Sequence, residues 1–158
     1  PRLDIGETMR GIIGGAGSKS GVIGTTELDY EEGTFTAELR GQGGRATTPV
    51  LLTDAEYVKV GKLVHITCAF DNVNTSGASG QIQVTGLPFA NNNSLNVSAA
   101  DICLCNKLTF PDGAVPAMVV SGTTLYGNTL DHSGTSADWA MVGTTAVYLR
   151  IQATYKTP

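Results

Sequence analysis

The stretch EYVKVGKLVHITCAF, residues 56–70, holds two strand-like runs that meet at a glycine. In the second run Val64, Ile66, Cys68 and Phe70 fall on one side, while His65 looks the other way. A side-chain period of two is that of a half-buried strand, one row against a core and the other outside. Val60-Gly61-Lys62 joins the runs, and a glycine there supplies the permissive φ that a tight hairpin needs and so fixes the register. The stretch reads as a β-hairpin.

The same period recurs on both sides of it. In GTFTAELR, Phe35, Ala37 and Leu39 alternate with Thr34, Thr36, Glu38 and Arg40. In TAVYLRIQATYK, Val147, Leu149, Ile151 and Ala153 alternate with Tyr148, Arg150, Gln152 and Thr154. Shorter strands are predicted at Gln81–Thr85, Ala100–Cys105, Ala117–Ser121 and Thr123–Tyr126. Polar turns separate them, among them Ser76-Gly77, Gly86-Leu87-Pro88, Asn91-Asn92-Asn93, Pro111-Asp112-Gly113 and Gly127-Asn128. No segment carries a helical period. Closely spaced strands with polar turns predict an all-β, antiparallel sandwich resembling a jelly roll over residues 30–158. Residues 1–29 hold seven glycines and little alternation, and read as a glycine-rich arm or connector.

Within that arm GGAGSKSG, residues 14–21, approaches a phosphate-binding loop, but Ser18 stands where glycine belongs. A phosphate loop also needs a buried strand before it and a helix N-terminus after it, so that backbone N–H groups meet the phosphates. GVIGTTELDY, which follows, opposes a helix with β-branched residues and Gly24. Lys19 and Ser20 therefore read as linker residues.

Composition narrows the partners. Only 15% of the 158 residues are charged, against 41% hydrophobic and twenty glycines. Depletion of charge is common where a surface faces other subunits. The net charge of −4 and pI near 5.0 provide no basic stripe for nucleic acid. No apolar run approaches the 18 residues of a membrane helix, and no positively charged segment leads into an apolar core at the N-terminus. Cys68, Cys103 and Cys105 are odd in number, and the last two would share one strand face. They read as small hydrophobes in a reducing compartment. A Cys-x-Cys metal site lacks further ligands at any nearby spacing, so no metal or cofactor is expected.

Two clusters invite chemistry. LDHSGTSADW, residues 130–139, gathers Asp131, His132, Ser136, Asp138 and Trp139, but lacks the second glycine of a nucleophile elbow. An aromatic face ringed by hydrogen-bonding side chains suits a sugar, which presents apolar CH patches among hydroxyls. Trp139, Tyr126, Asp131, His132 and Asp138 could form such a site; alternatively Trp139 packs in the core. Glu27, Asp29, Glu31 and Glu32 surround Tyr30. Converging carboxylates would serve a glycoside hydrolase or calcium, whereas a solvated turn leading into the first strand accounts for them as well. The Asn-x-Ser/Thr sequences at Asn74, Asn92 and Asn96 read as polar loop without a secretory route.

The order of motifs around the opening hairpin resembles a β-sandwich domain found at the C-terminal ends of bacteriophage tail fibres and tailspikes. In that family a Y-x-K-[VI]-G hairpin, here Tyr57, Lys59, Val60 and Gly61, precedes a long strand, a short strand and a G-L-P-F turn, here Gly86 to Phe89. Leu125-Tyr126, then Ala137-Asp138-Trp139, then a closing strand to Tyr155 continue the likeness, with tryptophan where the family more often has phenylalanine. The likeness spans residues 33–156. It implies a distal domain of a virion fibre or spike, assembled in the bacterial cytoplasm. It also implies homotrimerisation, contact with other tail proteins, and binding of host-surface carbohydrate such as lipopolysaccharide or capsule. Catalysis in that family generally lies upstream, so no enzymatic activity is expected here. The remaining alternatives are a capsid-decorating or capping protein and a carbohydrate-active hydrolase.

Overall fold

A computed structural model describes residues 29–92, 98–108, 113–130 and 136–158. The glycine-rich arm, with its near phosphate loop, lies outside them. Nine strands follow one another: β1 (Tyr30–Gly41), β2 (Val50–Val60), β3 (Leu63–Val73), β4 (Ile82–Thr85), β5 (Ser98–Asn106), β6 (Val115–Ser121), β7 (Thr124–Leu130), β8 (Ser136–Asp138) and β9 (Val147–Lys156). The described chain is all-β, and every strand pair is antiparallel.

Period two explains the long strands. Val64, Ile66, Cys68 and Phe70 are buried, as are Val147, Leu149, Ile151, Ala153 and Tyr155 on the neighbouring β9. The hairpin closes where the sequence placed it: Val60 pairs Leu63 around Gly61-Lys62. Gly61 has φ of 57°, the left-handed value that a two-residue turn of type II′ requires at its first position. The G-L-P-F corner buries Leu87 and leaves Phe89 packed against the core.

The strands lie in one sheet, ordered β5-β9-β3-β2-β1-β4-β7-β6, with β8 added beside β7. The expected sandwich is thus a single sheet that curls until it is nearly a barrel. Its two end strands meet through side chains. Ser98 Oγ on β5 accepts the Val120 N–H of β6 at 3.1 Å. Asn91 holds the β6 side of the seam, its Nδ2 donating to Val120 O at 2.8 Å and its Oδ1 accepting from Gly122 N at 2.9 Å, and the next backbone N–H, of Asn92, donates to Lys156 O on β9 at 2.6 Å. Closure matters because an open edge leaves backbone donors and acceptors unpaired.

At one end the loops after β1 and β3 are pressed together backbone to backbone. A Cβ on Gly41 would sit 2.0 Å from Ser79 O, so only glycine admits this approach. Thr75 is buried there, its hydroxyl donating to Val142 O and Thr144 O.

One reading of the cysteines is corrected. Cys103 and Cys105 do not share a face, because a bulge between Ile102 and Leu104 shifts the register against β9. Ile102 and Cys105 pack on the core, and Cys103 is exposed.

Candidate functional site

Of the residues expected to bind sugar, Tyr126 and Asp138 lie near each other on the outward face of β7 and β8, with Asp138 opposite Asn128, while Trp139 lies in the core. Asp131 and His132 lie outside the described residues. Tyr126 is half-buried on β7, in a cross-strand row with Val119 and Gln83. Asp138 ends β8 and is exposed. Its Oδ1 accepts from Gln81 Nε2 at 2.9 Å, and the same amide reaches Gly127 O and Asn128 Oδ1 at 3.1 and 3.2 Å.

Trp139 turns the other way and is 0% exposed. Its N–H donates to Gly127 O at 3.0 Å and its carbonyl accepts from Ile82 N at 2.8 Å. These two bonds hold its backbone between β7 and β4, so the ring can only point inward. A Cβ on Gly127 would lie 3.0 Å from Trp139 Cε3 and 2.0 Å from Ile82 Cγ2, so glycine makes the space that the indole fills. Trp139 is a core residue and offers no face to a sugar.

The acidic run, of which Glu31 and Glu32 lie on β1 itself, does not converge among the described residues. Glu27 lies outside the described residues. Asp29 pairs with Lys59 Nζ at 2.6 Å, Glu31 accepts from the Tyr57 hydroxyl at 2.7 Å, and Glu32 accepts from the Tyr30 hydroxyl. These carboxylates hold both phenols above their ordinary pKa, because an ionised phenol beside a carboxylate would lose the hydrogen bond and gain repulsion. Tyr57 meets Phe89 edge to face at 5.4 Å, and Lys59 lies over the Phe89 ring at 5.7 Å. The hairpin and the G-L-P-F corner therefore brace each other. Among the described residues no group of three or more His, Cys, Asp or Glu side chains could hold a metal ion.

A feature absent from the sequence reading lies on the outside of β2, β3, β9 and β5. Here a groove of about 350 Å³ runs across the sheet. One cross-strand row places Glu56, Thr67, Gln152 and Asp101 side by side on the four strands. Gln152 Nε2 donates to Asp101 Oδ2 at 3.1 Å. Beside them Ala69 pairs Arg150, whose Nε and Nη2 donate to the two oxygens of Asp71 at 2.9 and 2.6 Å. That two-pronged bond holds the Asp71 carboxyl below its usual range and the Arg150 guanidinium above its own. The sequence put Arg150 and Gln152 on an outward face. It could not show that Glu56 and Asp101 stand in line with them, because register across four strands has no local signature.

Neither a family model nor a curated protein matches the sequence. The fold does have a counterpart among solved structures. The crystal structure of the Dettilon tailspike protein (gp208) superposes with a TM-score of 0.62 at 13% identity, over 80% of this chain. A tailspike contains this fold. The likeness occupies 24% of the tailspike chain.

Proposed function

We propose that the chain is a virion module, the distal domain of a phage tail fibre or tailspike, which associates as a homotrimer and binds host-surface carbohydrate without cleaving it. The observation that carries this reading is the likeness of its curled nine-stranded sheet to a quarter of a tailspike chain. The order of the Tyr57–Gly61 hairpin, the Gly86–Phe89 corner and the closing strand supports it independently.

Surface chemistry favours association. Leu51, Val115 and Val119 are 57%, 63% and 42% exposed, and Val119 adjoins Tyr126 across β6 and β7. Large apolar side chains in a chain with few charges suit contact with other protomers and with neighbouring tail proteins. Light scattering should give three times the chain mass of 16.4 kDa; a particle of one chain at micromolar concentration refutes the trimer.

Binding without cleavage is tested on immobilised lipopolysaccharides and capsular polysaccharides, read together with release of reducing ends. Saturable binding with no release is expected. Release that disappears in Glu31→Gln or Asp138→Asn would make the domain a hydrolase instead.

A further inference from the structure

We propose that the groove over β2, β3, β9 and β5 is a carbohydrate subsite that accepts an uncharged oligosaccharide and turns away anionic ones. The inference rests on the carbohydrate-binding reading above and gives that reading a place and a ligand class. Its geometry begins with small residues. Thr67 and Ala69 on β3 form a low floor between longer side chains on β2 and β9. The volume of about 350 Å³ lies within the range of small-molecule sites, ~300–1,000 Å³.

The lining then selects the ligand. Sugar hydroxyls both donate and accept, and the groove presents both halves. Asp54 and Glu56 are exposed acceptors on one wall, while Arg150 and Gln152 are donors on the other. Both donors are held before any ligand arrives, Arg150 by Asp71 and Gln152 by Asp101, so binding costs little side-chain freedom. Charge excludes the anionic class. Asp71 already compensates the Arg150 guanidinium, which leaves Asp54 and Glu56 facing the ligand without a free cation in the lining. A uronic acid or phosphorylated sugar would bring its charge against two carboxylates.

The test uses ¹⁵N-labelled full chain titrated with maltotriose, mannotriose, triacetylchitotriose and trigalacturonic acid, following the Arg150 Nε–H and Gln152 amide signals. At least one uncharged trisaccharide should move these signals, and trigalacturonic acid should not. Gln152→Ala should weaken that binding about tenfold, the loss of one well-placed hydrogen bond, with the rest of the spectrum unchanged. Asp54→Lys combined with Glu56→Lys should admit trigalacturonic acid. The proposal is overturned if no trisaccharide moves the groove signals, if the anionic one moves them most, or if dilution alone moves them, which would make the groove a contact between copies. Shifts confined to Tyr126 and Asp138 would also overturn it while leaving the carbohydrate-binding function standing. Failure of every lipopolysaccharide and capsule to bind refutes that function itself.

Discussion

At the scale of single residues, Trp139 and Gly127 form one unit. The indole is the largest fully buried side chain among the described residues, and it sits where Gly127 has no Cβ. Removing the ring leaves a cavity as well as lost burial, so Trp139→Ala should cost about 3–5 kcal/mol. Gly127→Ala fails by the opposite route. The added methyl would overlap Ile82 Cγ2, and overpacking of that kind costs about 1–3 kcal/mol. Urea denaturation of both variants checks this. If Trp139→Ala keeps the wild-type midpoint, the ring is not in the core. The sequence left Trp139 open between core and sugar platform because alternation decides only within a strand. Trp139 stands just past β8, and its direction is set by bonds to Gly127 and Ile82.

At the scale of elements, the weak point is the seam between β5 and β6, where no backbone ladder joins the sheet's ends. Asn91 does part of the work of a missing strand, giving and taking hydrogen bonds at Val120 and Gly122. Asn91→Ala should therefore destabilise the domain by about 1–3 kcal/mol, the cost of leaving buried polar groups without these partners. Hydrogen exchange should speed up along β6 before the β3–β9 pair is affected; uniform acceleration through all strands would refute the seam as the first element to open. The strands themselves were largely legible, since β9 alternates over its full length, β3 alternates from Leu63 to Phe70, and Gly61 marks the hairpin. Three-residue β8 was not, because it exists only by pairing with β7. Closure was not legible either: it rests on Asn91 and Ser98, whose sequence neighbours look like ordinary polar loop. The groove escaped for a related reason, as Glu56, Thr67, Asp101 and Gln152 become neighbours only once four strands are in register.

At the scale of the molecule, the curled sheet encloses two groups that burial keeps neutral. Cys68 and Tyr155 are both pushed up to about 12, from ordinary values of 9.0 and 10.0, chiefly because the core cannot solvate a thiolate or phenolate. The Tyr155 hydroxyl also donates to Phe89 O at 2.9 Å, tying the last strand to the G-L-P-F corner. Raised values in the folded state have a definite sign. Below about pH 9 both states hold these protons and the stability is intact. Above it the unfolded chain ionises first, Cys68 near 9.0 and Tyr155 near 10.0, and unfolding becomes easier until the folded groups also titrate near 12. Each group lowers the unfolding free energy by about 1.4 kcal/mol per pH unit while it is ionised only in the unfolded state. Tyr30 and Tyr57 act in the same direction, but solvent screens their carboxylate neighbours and weakens the effect. Urea midpoints should thus be level up to about pH 9 and fall steeply by pH 11. Tyr155→Phe should start less stable, having lost its bond to Phe89, yet decline less steeply between pH 10 and 12. Cys68→Ala should remove the earlier part of the decline, between pH 9 and 10. A wild-type midpoint that is unchanged at pH 11, or variants that fall as steeply as the parent, would mean that neither group is enclosed by the sheet.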